Sequence, residues 1–132
     1  MNSVSDIKIK QLADEDPRYL PEAYYFITSA VTFAVGRLSE PGHVTARELL
    51  RGIRDYAEQE YGALAADVMI SWGINTASDV GELVYSLINA GLLSASKDDK
   101  RSDFDIEFDL LPQYTTTQYT ANKDLTLLPK ID

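Results

Sequence analysis

The fold turns on Thr76-Ala-Ser-Asp-Val-Gly-Glu-Leu-Val-Tyr-Ser-Leu-Ile-Asn-Ala-Gly-Leu-Leu93 and on Phe104-Asp-Ile-Glu-Phe-Asp-Leu110 just beyond it. Asn75 or Thr76 caps a helix here, and Asp79 in its first turn suits the positive end of the helix dipole. Val80, Leu83, Val84, Leu87 and Ile88 recur with helical period along one side. Gly91 followed by Leu92 predicts a Schellman stop with its apolar contact. Leu92 to Ala95 is long enough for one short strand, and Lys97 to Ser102 makes a charged turn. Phe104, Ile106, Phe108 and Leu110 then alternate with Asp103, Asp105, Glu107 and Asp109, the period of a half-buried strand. The expected fold is therefore mainly α with a small antiparallel β-hairpin, a helical domain whose C-terminal half is winged-helix-like. Leu92–Ala95 should pair with Phe104–Leu110, and Phe104, Ile106 and Phe108 should pack on the last helix.

Upstream, Ala23, Phe26, Ile27, Ala30, Val31, Ala34 and Leu38 mark a wide apolar face on a helix over residues 22–38. Thr45-Ala-Arg-Glu48 reads as a capping box, with Val44 and Leu49 placed for a hydrophobic staple. The helix it starts turns Leu49, Leu50, Ile53, Tyr56 and Ala57 inward and breaks at Tyr61-Gly62. A further helix carries Leu64, Ala65, Val68, Met69 and Trp72 and stops at Gly73. Residues 1–16 have a thin apolar spacing that fits a short helix, and Pro17 and Pro21 bracket an extended turn. The length of 132 residues fits one domain, placed at 1–111, with a polar Thr-, Gln- and Tyr-rich tail over 112–132.

Composition bounds the chemistry. The chain has no Cys and a single His, so thiolate chemistry and His-rich metal sites are excluded, and a reducing, cytoplasmic setting is expected. Met1 to Asp6 lack a basic region leading into an apolar run, so no secretory signal is expected. The net charge of −9 argues against nucleic acid, whose affinity comes largely from basic residues. The recognition-helix position, Thr76 to Ala90, holds Asp79 and Glu82 and no Lys or Arg.

No residue set reads as catalytic, cofactor-binding or metal-ligating. The alternating acids of 103–109 lie along a strand about 7 Å apart rather than around one ion, which makes them a solvated face. Arg47, Arg51 and Arg54 share a helical face and form the concentrated basic surface of the chain, although Arg51–Asp55 and Arg54–Glu58 at i,i+4 can pair locally. His43, before the capped helix, completes this possible interaction surface and is the best residue an enzyme reading could use, with Glu48 or Arg18. Trp72 reads as core, and Gly81 inside the last helix as a point of close helix approach.

Asp16-Pro-Arg-Tyr19, Ala23-Tyr-Tyr-Phe26, His43-Val44, Glu48-Leu-Leu-Arg-Gly-Ile-Arg54, Tyr61-Gly62, Trp72-Gly-Ile74, Asp79-Val-Gly-Glu82, Leu87-Ile-Asn-Ala-Gly-Leu-Leu93 and Asp103-Phe104 carry a family likeness. In these motifs the chain resembles the small uncharacterised proteins found chiefly in Planctomycetes and Verrucomicrobia, over roughly residues 16–108. That family has no assigned activity, so the resemblance implies no catalytic residue. It ends where family members often continue with an aromatic-rich segment.

The leading functional expectation is a non-catalytic protein-interaction or regulatory module without cofactor, meeting a protein partner or a second copy of itself. A winged-helix DNA-binding regulator is the alternative, and an enzyme using His43 the third reading.

Overall fold

The computed structural model describes residues 3–38, 44–95 and 99–112. Its helices are α1 (Val4–Glu15), α2 (Pro21–Gly36), α3 (Ala46–Tyr61), α4 (Ala65–Ser71) and α5 (Ala77–Asn89), with 3-10 turns at Gly62–Leu64 and Arg101–Phe104. None of these helices is long and apolar enough to cross a membrane.

Local chemistry explains where each helix begins. Ser3, Thr45 and Thr76 each accept a hydrogen bond from the backbone N–H three residues on, and Asp6, Glu48 and Asp79 answer with their carboxylates, so α1, α3 and α5 all start on complete capping boxes. α2 has no side-chain cap and instead begins on Pro21, whose fixed φ suits the first helical turn. Two stops follow one scheme. Gly91 (φ 80°) donates to Ile88 and Leu92 donates to Leu87, while Gly73 (φ 100°) donates to Ile70 and Ile74 donates to Met69. Both are Schellman motifs, and the left-handed backbone requires the glycine.

α2 and α3 form an antiparallel pair at the centre. Ile27, Leu50, Ile53, Met69, Val80, Leu83 and Leu87 are fully buried and fuse α2, α3, α4 and α5 into one core. The pair is close because Ala34 faces Gly52: a Cβ on Gly52 would collide with the Ala34 side chain and come within 3.0 Å of its Cα. Asp55 pairs at 2.9 Å with Arg37, the residue that follows α2, rather than with Arg51 as the i,i+4 spacing allowed. α1 closes the bundle by burying Ile9, and its Lys8 Nζ donates to the Ala90 carbonyl at the C-terminus of α5 at 2.8 Å.

The expected β-hairpin is absent: no strand occurs among the described residues, so the winged-helix-like reading is overturned and mainly α remains. Leu92–Ala95 cannot form the first strand, because the Schellman motif and a further hydrogen bond from Leu93 to the Leu87 carbonyl fold the chain back on α5. Asp103 captures the Lys100 backbone N–H at 3.1 Å and so winds Arg101–Phe104 into a 3-10 turn. The alternation beyond it is real, with Leu110 buried, Ile106 and Phe108 half-buried and Asp105, Glu107 and Asp109 exposed. A period of two thus reports an extended strap with one inward face, here laid over helices rather than hydrogen-bonded to a neighbour strand. Phe104 does pack on α5, against Gly81, while Phe108 lies beneath arginines of α3. Leu64, expected on the helix that stops at Gly73, lies in the 3-10 turn before α4 and is 63% exposed. The tail expected from residue 112 on lies, apart from buried Pro112, outside the described residues.

Replacing Gly52 with Val should cost about 1–3 kcal/mol in urea denaturation, because the helix pair must separate. Gly36→Ala, at a site with open space around it, should instead gain roughly 0.5–1 kcal/mol. Equal effects of the two changes would contradict the close crossing.

Candidate functional site

The basic face on α3 is not a free phosphate grip. Arg47 and Arg54 hold their guanidinium carbons 5.8 and 5.3 Å from the centroid of the Phe108 ring, and Arg54 Nη1 donates to the Asp109 carbonyl at 2.8 Å. Both are therefore engaged in holding the 105–112 strap on α3. Arg51 is exposed and makes no ion pair among the described residues. His43, the remaining candidate, lies outside the described residues, so the face cannot be completed from it. A DNA-binding reading accordingly loses both its wing and two of its arginines.

The motifs at 16–19, 79–82 and 101–105 meet on one side of α5. Arg18 grips Asp16 in a two-point contact (Nε to Oδ1 2.9 Å, Nη2 to Oδ2 2.7 Å) and reaches Glu82 at 3.6 Å. Glu82 also takes Arg101 at 2.9 Å, Arg101 takes Asp105 at 2.7 Å, and Ser78 donates to Asp105 at 2.9 Å. Beside this chain, the Tyr19 hydroxyl donates to Asp79 at 2.6 Å, and Asp79 also accepts from the backbone of Asn75 and Thr76. Gly81 makes room for Phe104 and Arg101, and Gly73 for the Arg18 carbonyl. The close approach expected at Gly81 is thus real, but what approaches is a 3-10 turn.

Electrostatics mark this chain of charges as a clasp. The Arg18 hydrogen bond holds the Asp16 carboxyl below the usual aspartate range, and Arg101 with Ser78 does the same for Asp105. Burial, then the hydrogen bond to Asp79, pushes the Tyr19 phenol well above the usual tyrosine range. These groups keep one protonation state near neutrality, so they are poorly matched to proton transfer there. No group of acids or imidazoles that could hold a metal ion occurs among the described residues.

A separate opening is apolar. α2, the start of α3, and the C-terminal half of α5 enclose a groove of about 460 Å³. Val31, Val35, Leu49, Val84, Ile88 and Phe104 supply its walls, with Tyr85, Asp99 and Asp103 also lining it. Burial pushes the Tyr85 phenol above its usual range, and Asp99 and Asp103 add to the effect, so the hydroxyl is held neutral beside two carboxylates. The residue-by-residue reading missed this groove. Its signal lies in Val31 and Val35 on α2 and Val84 and Ile88 on α5, i,i+4 pairs that widen each apolar stripe beyond what the core covers.

No family model, curated protein or solved structure matches the chain.

The clasp generates a pH dependence. Asp16 and Asp105 have lowered values in the folded chain, so their stabilisation is present above the unfolded aspartate value and is lost as pH falls through the lowered ones. Urea midpoints should be level from about pH 7 to 5 and decline below about pH 4, and an Asp16→Asn, Asp105→Asn double variant should show a shallower decline. Tyr19→Phe should cost about 1–2 kcal/mol by removing the hydrogen bond to Asp79.

Proposed function

We propose that the protein is a non-catalytic interaction module, and that its groove takes an amphipathic helix with basic ends from a protein partner. The observation carrying this reading is the groove itself: an open apolar channel of about 460 Å³ with carboxylates along one edge, on a chain of net charge −9. Apolar walls receive apolar side chains spaced along one helix face, the helix-in-groove mode of recognition. Asp99 and Asp103 set the sign of the flanking charge, which orients the partner and rejects acidic competitors. The clasp supports the same reading, because it fixes α5 and the Arg101–Phe104 turn, which supply much of the groove wall. The interaction edge expected from a hairpin is replaced by this groove.

The test is fluorescence anisotropy with the full chain and two labelled amphipathic helices. Both carry leucines at i, i+3, i+4 and i+7; one ends in lysines and the other in glutamates. The lysine-ended helix should bind in the micromolar range and the glutamate-ended one at least about tenfold more weakly, a difference of roughly 1.4 kcal/mol. Val35 is 48% exposed on the groove wall, so Val35→Glu should weaken the lysine-ended helix without disturbing the core. Absence of binding, or affinity indifferent to both the end charges and Val35→Glu, would remove the basis of the proposal.

A further inference from the structure

At the opposite end of the α2–α3 pair, aromatic rings line a second, smaller cleft. Phe26 is its buried floor, with the rings of Trp72, Tyr56 and Tyr61 centred 5.4, 5.6 and 6.4 Å from it. Tyr61 and Trp72 stand 81° apart in plane with centroids separated by 5.8 Å, so they form two nearly perpendicular walls. The opening measures about 230 Å³, and Glu22 and Ser29 of α2 line it together with the rings.

We propose that this cleft binds a trimethylammonium group. Aromatic faces carry the negative lobes of their quadrupoles, and a cation within about 6 Å of several ring centroids is attracted to all of them. A quaternary ammonium has no N–H to satisfy, which suits a cleft lined by the rings of Tyr25, Phe26, Tyr56, Tyr61 and Trp72, with one carboxylate and the Ser29 hydroxyl beside them. Glu22 supplies the countercharge. The volume is below the roughly 300–1,000 Å³ of sites for drug-sized molecules, which fits a head group rather than a whole ligand.

Ring packing between helices does not by itself account for the opening. Three aromatic rings elsewhere are capped from within: Arg18 lies over Tyr19, Arg37 over Phe33, and Arg47 and Arg54 over Phe108. No such cation covers Phe26, Tyr61 or Trp72 among the described residues, and Tyr61 is 37% exposed at the end of α3. The faces gathered at this cleft are among those the chain leaves uncapped, and Tyr61 opens them to solvent.

The same head group occurs on free small cations such as choline and on trimethylated lysine in a peptide. Trp72 is the single tryptophan of the chain, so its emission reports occupancy directly on the full-length protein. Titration with tetramethylammonium chloride, against sodium chloride at equal ionic strength, should give a saturable change in the millimolar range. Choline should bind at least about tenfold more tightly than its uncharged isostere 3,3-dimethylbutan-1-ol, since only the cation feels the ring faces. Tyr61→Leu should weaken tetramethylammonium by about tenfold and Tyr61→Phe should retain it, because the ring face and not the hydroxyl carries the attraction. A trimethyllysine peptide binding more tightly than choline identifies a modified protein as the source, and the reverse order identifies a free cation. The proposal fails if emission follows sodium chloride equally, if the neutral isostere matches choline, or if Tyr61→Leu leaves affinity unchanged. None of these outcomes depends on the apolar groove.

Discussion

The close approach of α2 and α3 at Ala34 and Gly52 is the constraint on which the rest depends. Ala23, Ala30 and Ala34 give α2 a stripe of small buried residues, and Gly52 removes the one side chain that would hold α3 away. Larger side chains occupy the two ends of the pair. Phe26 and Tyr56 meet at one end with their rings tilted against each other. Val31, Val35 and Leu49 line the groove at the other. The pair thus carries an opening of different chemistry at each end.

Charge is distributed by a second rule. The chain has 21 acids against 12 bases, yet the arginines are not spread as solubilising groups. Arg18 and Arg101 both bind Glu82 on one side of α5, and Arg47 and Arg54 secure the strap through the Phe108 ring. Cations are consumed in closing the fold, and the acids left over dominate its surface. That imbalance leaves carboxylates, Asp99 and Asp103 among them, along the rim of the groove.

Helix starts and stops were legible because they are local. Thr45 with Glu48 and Gly91 before Leu92 encode their geometry within a few residues and form as read, and of the two caps open to α5, Asn75 or Thr76, the structure takes Thr76 and adds Asp79 as its box partner. The strap was misread because alternation between buried and exposed positions does not say what lies alongside. Phe108 needed knowledge of Arg47 and Arg54, more than fifty residues away, which no local pattern contains. The same holds for the arginine face, whose spacing was visible while its occupancy by the strap was not. The groove and the aromatic cleft are products of packing, so the sequence held their parts but not their assembly. By contrast, the clasp joins motifs already conspicuous as Asp16-Pro-Arg-Tyr19 and Asp79-Val-Gly-Glu82, and distance alone concealed that they meet.

The contact between Lys8 and the Ala90 carbonyl joins the first helix to the end of the last. α1 buries only Ile9 outright, so it has little core of its own to hold it in place. Its other ties run to its neighbour α2, where the Tyr24 hydroxyl donates to the Leu12 carbonyl and the Tyr25 hydroxyl to Asp6. With one buried residue and a few polar contacts, α1 can open while the α2–α3 pair stays closed. The amide hydrogens of α1 therefore answer to a local opening of low free energy rather than to unfolding of the whole bundle.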